Sequence, residues 1–212
     1  MEIQVWSDIV CPWCYLGKRR LEEALRGFDG DVAVTFRAYQ LDPSPVPAPV
    51  PTKQALAEKF GSAERAEQMF QHVTSVAAGD GLRLDFDRSI AANTFDAHRL
   101  VEWAAGQGRQ LDMVEALQRA HFTDGVDIGF LPALAAVAGS IGLNAAAAQA
   151  FLESGAGAEA VISDLTAARE LGITSVPTFV IDGKYAVQGA QEAATLRTAL
   201  EEIQRREAAV TP

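Results

Sequence analysis

Cysteine is scarce here. Two residues among 212 cannot form a disulfide framework, so the fold must rest on its own core. Histidine is scarce too: His72, His98 and His121 are the full complement, and none forms a close His-x-x-x-His pair, so no metal site is read. Basic residues are outnumbered, 18 Lys and Arg against 28 Asp and Glu, for a formal charge of −10. Such a surface repels a nucleic-acid backbone or an anionic bilayer, and neither is expected as a partner. No apolar run approaches the ~20 residues that a membrane span needs. The opening MEIQVWSDIV lacks a basic n-region, a long apolar h-region and a small-residue cleavage site, so a cytoplasmic protein is expected. Hydrophobic content (49%) and charged content (22%) are ordinary and exclude a mainly disordered chain. The length allows one elaborated domain or two interlocked ones.

Ile3 and Val5 alternate with polar neighbours up to Ser7 and Asp8, which reads as a short strand. Leu16, Leu21, Leu25 and Phe28 then follow near helical spacing, ending at Gly27 and Gly30. Residues 31–39, with Val32, Val34 and Phe36 on one face, read as a second strand, completing a β-α-β unit. Five of the nine prolines lie between Pro43 and Pro51, a density that permits only an extended connection. From Thr52 to Gly172 the periodicity predicts five or six helices, broken at residues 79–81, 106–108, 124–129 and 155–157. After Gly172 two apolar runs flank Asp182-Gly183, a hairpin signal, and Leu196, Leu200 and Ile203 mark a last helix. The expected organisation is a sheet domain from 1–42 plus 173–212, a Pro-rich connection 43–51, and a helical insertion 52–172.

Both cysteines fall in Cys11-Pro12-Trp13-Cys14, at the first strand-to-helix junction. A thiol attacks a disulfide as its thiolate, and an ordinary cysteine, with a pKa of about 8.5, is mostly protonated at neutral pH. If Pro12 opens the helix, Cys11 caps it, facing unpaired N–H groups and the positive dipole end, which favours its thiolate. Cys14 lies one turn along, within reach of a mixed disulfide on Cys11. Cys11 is therefore read as nucleophile and Cys14 as resolving thiol. Half of a metal site and an inert buried pair are the alternatives; a C-x-x-C beside a β-α-β pattern favours redox chemistry. Pro177, directly before an apolar strand, is expected to follow a cis bond, leaving the Val176 backbone unpaired at the sheet edge where a substrate peptide could add as a strand.

The strand, the CPWC motif, the helical insertion and Val176-Pro177 before a hairpin together resemble the thioredoxin superfamily, and within it the DsbA-like oxidoreductases of the FrnE-type branch. The stretches that carry the resemblance are SDIVCPWCYLGKRRLEEAL, YQLDP, NTFDAHRLVEWA, HFTDGVDIG and GITSVPTFVIDGKYAVQGAQ, spread over nearly the whole chain. The resemblance implies an α/β, thioredoxin-like fold with a large all-helical insertion. It also implies thiol–disulfide exchange on protein or small-molecule disulfides, with Cys11 and Cys14 as the redox pair and Pro177 as the cis proline. No cofactor is required; glutathione is a candidate thiol co-substrate, and the protein is expected as a monomer or homodimer. The dipeptide Pro12-Trp13 tunes the potential, and without the histidine of the oxidising periplasmic relatives the pair is expected to be less oxidising than DsbA at roughly −120 mV, nearer thioredoxin at roughly −270 mV. A neighbouring branch, the kappa-class glutathione transferases and 2-hydroxychromene-2-carboxylate isomerases, shares the DAHRL stretch but typically has serine in place of the first cysteine. It supplies the competing reading, a glutathione-dependent transferase or isomerase.

Further residues are weighed beside these. Asn93 reads first as a helix N-cap, and the resemblance places Asn93 and His98 toward the redox cleft as substrate contacts. His121 stands where the family leads one to expect tyrosine. Trp13 is read as a partly exposed substrate contact, and Trp6 and Trp103 as core. Asp8 is expected to satisfy backbone donors or meet an arginine.

Overall fold

A computed structural model describes residues 1–46 and 48–210; Pro47 of the Pro-rich connection, and Thr211 and Pro212 at the end of the 173–212 segment, lie outside the described residues. The chain runs β1 (Glu2–Ser7), α1 (Pro12–Arg26), β2 (Ala33–Ala38), α2 (Thr52–Phe60), α3 (Ala63–Gly79), α4 (Phe95–Ala105) and α5 (Gln110–Arg119). A π-helical turn (Ala120–Asp124) follows, then α6 (Leu131–Ser140), α7 (Ala145–Glu153), α8 (Ala158–Glu170), β3 (Thr178–Ile181), β4 (Tyr185–Gln188) and α9 (Ala193–Val210). The fold is α/β and thioredoxin-like, with the helical insertion between β2 and β3.

The sheet order is β2-β1-β3-β4. β1 pairs parallel with β2 through the α1 crossover and antiparallel with β3. Both faces of β1 are covered, Ile3 and Val5 by the main core and Trp6 by Ala168, Ile173 and Val180, as an interior strand requires. The β3–β4 hairpin turns on Asp182 (φ 50°) and Gly183 (φ 65°), closed by Lys184 N donating to Ile181 O at 3.0 Å.

Three details depart from the sequence reading. β3 is interior, so Val176 precedes a central strand and does not lie at the sheet edge. The region 52–172 holds seven α-helices and a π-turn among the described residues, against five or six expected, because α2 and α3 separate at Gly61 and α6 and α7 at residues 141–144. Residues 82–94 are not helical: Leu82, Leu84 and Phe86 alternate inward against Phe70 and Phe122 without helical hydrogen bonds.

The main core joins sheet to insertion. Ile3, Val5, Leu21, Phe36, Phe179 and Leu200 pack in one cluster with Leu100, Met113, Leu117 and Leu134. A second cluster seats α3 on α1 beside the cysteines, through Tyr15, Leu16, Phe70 and Val73.

Candidate active site

Pro12 is the first residue of α1, where its missing N–H is no loss, and Cys11 is the N-cap with extended backbone (φ −89°, ψ 112°). The Cys11 carbonyl accepts from Cys14 N (3.0 Å) and Tyr15 N (3.2 Å), holding the first turn closed beneath the motif. Cys11 is 4% exposed and Cys14 1%. Cys11 Sγ faces the carbonyl of Val176 at 3.9 Å, and the Val176–Pro177 peptide bond is cis. Gly17 lets α1 approach the Pro177 ring closely: a Cβ there would stand 2.7 Å from Pro177 Cγ. Trp13 is half-buried, its ring 5.8 Å from that of His72 on α3.

The Cys14 thiol is held well above the ordinary cysteine range, first by burial, then by its hydrogen bond to Cys11 and the Cys11 charge; the Asp8 amide and the Ser7 hydroxyl oppose the rise. Two of the three raising causes depend on a free Cys11. Tying up the Cys11 sulfur in another bond would remove both, and Cys14 would become easier to ionise.

The other residues singled out in the sequence stand elsewhere. Thr94 is the backbone N-cap of α4, while Asn93 Oδ1 accepts from Phe95 N (2.9 Å) and Gln40 Nε2 (3.2 Å). Asn93 Nδ2 donates to the carbonyls of Pro43 (3.0 Å) and Ser44 (3.1 Å), so this side chain fastens the Pro-rich connection to α4. His98 is buried behind the motif, with Nε2 3.0 Å from Tyr39 O and 3.4 Å from Asp8 Oδ1. Asp8 meets histidine, not arginine, and its Oδ2 accepts from Leu41 N at 2.8 Å. Trp6 is core and Trp103 is partly buried against the core.

Sequence reasoning missed the buried Ser7 and Gln118, and had His121 only as a departure from an expected tyrosine. Ser7 ends β1 fully buried, and its hydroxyl has no hydrogen-bond partner. His121 is buried with neither ring nitrogen hydrogen-bonded, and burial pushes it down to about 4, opposed by the Asp8 charge. Gln118, one turn earlier, buries an amide with no partner at either end. The available signal was position, since Ser7 and Asp8 run directly into the motif; the π-turn at Ala120–Asp124, a helix irregularity of the kind that often accompanies a functional site, is seen only in the structure. Among the described residues no cluster of His, Cys, Asp and Glu could hold a metal ion, and no helix is long and apolar enough to cross a membrane.

Comparison with known proteins adds to this geometry. The family described as DSBA-like thioredoxin domain matches residues 2–201. A probable DsbA oxidoreductase from Streptomyces coelicolor is 36% identical, with a TM-score of 0.89 over 95% of this chain and 89% of that one. The cytosolic disulfide reductase DsbM from Pseudomonas aeruginosa shares the fold at 21% identity (TM-score 0.64; 97% of this chain, 99% of that one), and its structure has also been obtained with GSH. A 2-hydroxychromene-2-carboxylate isomerase shares the fold at 19% identity, TM-score 0.71, over 100% of both chains.

Proposed function

The chain belongs to the DSBA-like thioredoxin domain family, and on that premise we propose that it is a thiol–disulfide oxidoreductase whose redox pair is Cys11 and Cys14. The observation that carries the proposal is the asymmetry of the pair. Both are buried, but Cys11 stands at the N-cap position of α1, whereas Cys14 lies one turn inside with its thiol held protonated. In the reducing direction, Cys11 Sγ attacks a substrate disulfide and forms a mixed disulfide while one substrate thiolate leaves. Cys14 Sγ then attacks Cys11 Sγ and releases the second thiolate, so two electrons pass to the substrate and a Cys11–Cys14 disulfide remains. An external thiol, with glutathione the candidate, restores the dithiol; the reverse sequence would oxidise a substrate dithiol. The Val176 carbonyl beside Cys11 and the half-buried Trp13 are assigned to substrate contact, and Pro177 to shaping that wall. Pro12, as the first helical residue, sets the cap geometry and so tunes the couple. Substrates are disulfide-bearing proteins or small molecules, and the site of action is the cytoplasm.

Trapping tests the roles. Cys14→Ala should accumulate a mixed disulfide on Cys11, seen as an adduct by intact mass spectrometry, and Cys11→Ala should abolish exchange. Full exchange activity in both variants would overturn the assignment. The full-length likeness to an isomerase fold keeps a glutathione-dependent transferase or isomerase as second reading. Under that reading, conversion of a small aromatic substrate through a glutathione adduct would proceed without Cys14.

A further inference from the structure

A chain of net charge −10 leaves few of its cations idle. Among the described residues every Lys and Arg side chain is held by a carboxylate or a backbone carbonyl, except those of Arg65 and Arg169. Arg65 is exposed in the first turn of α3. Arg65, Met69, His72 and Val76 follow one another at i, i+4, i+7 and i+11, which sets them on one stripe of that helix. It is not the stripe that α3 buries, which is Ala66, Phe70, Val73 and Ala77. At one end Val76 packs against the same cluster as Trp13, and the His72 ring meets the Trp13 ring at 5.8 Å. Met69, 46% exposed, comes next, and Arg65 ends the stripe about 10 Å from His72 along the helix. The acids of α3, Glu64 and Glu67, project from other sides, and Glu67 is paired with Lys53 at 2.9 Å. The Trp13 indole N–H, the His72 ring nitrogens and the Arg65 guanidinium have no hydrogen-bond partner among the described residues, and none of the three is buried. A row of unspent groups thus starts at the redox motif and ends on a cation.

We propose that this stripe of α3 is a docking face for the polypeptide part of a substrate disulfide, and that it selects substrates carrying an acidic side chain three or four residues from the reactive cysteine. The proposal rests on the redox reading of Cys11 and Cys14. A peptide whose cysteine meets Cys11 passes Trp13 first, which offers an apolar ring face and an indole N–H for a backbone carbonyl. Met69, unbranched and polarisable, fits apolar side chains of differing shape. An extended chain advances about 3.3 Å per residue, so the stripe spans about three residues before Arg65, whose planar fork suits a carboxylate. Most of this acidic surface repels an acidic peptide, so a cation with no partner, two helical turns from the motif, fixes where and in which register such a peptide is drawn in. Arg169, in the last turn of α8, lies outside this face.

The experiment uses short peptides, each with one cysteine joined through a disulfide to a coloured aromatic thiol, mixed rapidly with the reduced full-length protein. As Cys11 Sγ bonds to the peptide sulfur the old S–S bond breaks, and the aromatic thiolate leaves with that bond's electron pair, so its colour reports the rate. The peptides differ only three residues from the cysteine, on one side or the other, where they carry Glu, Gln, Leu or Lys. At low ionic strength the second-order rate constant for the better-placed Glu peptide should exceed that for Gln about threefold and that for Lys about tenfold. The advantage should fade at 1 M salt, where charges are screened beyond about 3 Å. Arg65→Glu, an exposed change, should reverse the order and put the Lys peptide first; ratios between peptides are compared, so any general change in reactivity cancels. Equal rates for the Glu and Lys peptides, an order that survives Arg65→Glu, or a Leu peptide that outruns the Glu peptide at low salt overturns the proposal. A wild-type protein that releases no more thiolate than Cys11→Ala from any peptide sinks the redox reading instead.

Discussion

Cys14 and its neighbours show how burial divides labour between two chemically identical side chains. In the proposed exchange, desolvation holds the Cys14 thiol protonated while Cys11 is free, which leaves the first attack to Cys11. His121 belongs to the same buried layer and gives a separate test. Burial pushes its pKa down to about 4, so the unfolded chain takes the proton first as the solution is acidified. Stability that is fully present above pH ~6.5 should fall away toward pH ~4, by about 3 kcal/mol. His121→Phe should abolish this loss, and urea unfolding of both proteins at pH 7 and pH 4.5 measures it. Asp8 shows why part of the site was not legible in the sequence. An acidic residue before a C-x-x-C can face solvent, an arginine or a histidine; the choice of His98 depends on α4, which arrives 90 residues later. Cys11 and Pro12 could be placed from sequence because helix capping is a local property.

At the scale of elements, α1 and the loop before β3 meet at Gly17 and Pro177. Gly17→Ala would drive a methyl to within 2.7 Å of the proline ring, and neither partner is the loose end of a flexible chain. The expected outcome is a loss of about 1–3 kcal/mol in chemical unfolding, with slowed thiol exchange, because Val176 moves relative to Cys11. An unchanged unfolding midpoint would mean that the contact is softer than its geometry. The strands, α1 and the hairpin could be read from the chain because period-two alternation, an N1 proline and Asp-Gly are local signals. The insertion was less legible. Its alanine-rich segments give little contrast between buried and exposed faces, so the break between α6 and α7 passes unseen, and 82–94 hides because Leu82, Leu84 and Phe86 are held by tertiary packing and by non-local bonds such as Asp85 N to Phe122 O (2.6 Å). The interior position of β3, which takes Val176 away from the sheet edge, is a property of topology that no single segment encodes.

Across the whole molecule, the sheet and the insertion share a core, and a polar network beside it fastens α1 to α5. Glu115 accepts from Tyr15 Oη (2.9 Å) and Lys18 Nζ (2.7 Å), and Lys18, itself buried, also pairs with Glu22. Burial alone would raise Glu115, but the Lys18 hydrogen bond and charge outweigh it, with help from Tyr15 and Arg19, and its carboxyl titrates below the usual range. A depressed carboxylate stabilises the fold above its unfolded pKa of about 4.3 and loses that contribution as pH falls through the folded value. Glu115→Gln should therefore cost about 1–3 kcal/mol at pH 7, toward the low end because the side chain is 34% exposed, and the gap to wild type should close in acid. A gap that stayed constant with pH would assign the loss to packing.

The most direct test of the redox account is a titration of free thiols across a graded glutathione redox buffer, with intact-protein mass spectrometry at each point. The account expects a reversible loss of two thiols with a two-hydrogen decrease in mass, mapping to Cys11–Cys14, at a potential more reducing than roughly −120 mV. Failure to form that couple, with glutathione bound and the thiol count unchanged, would contradict it and put the transferase or isomerase reading first.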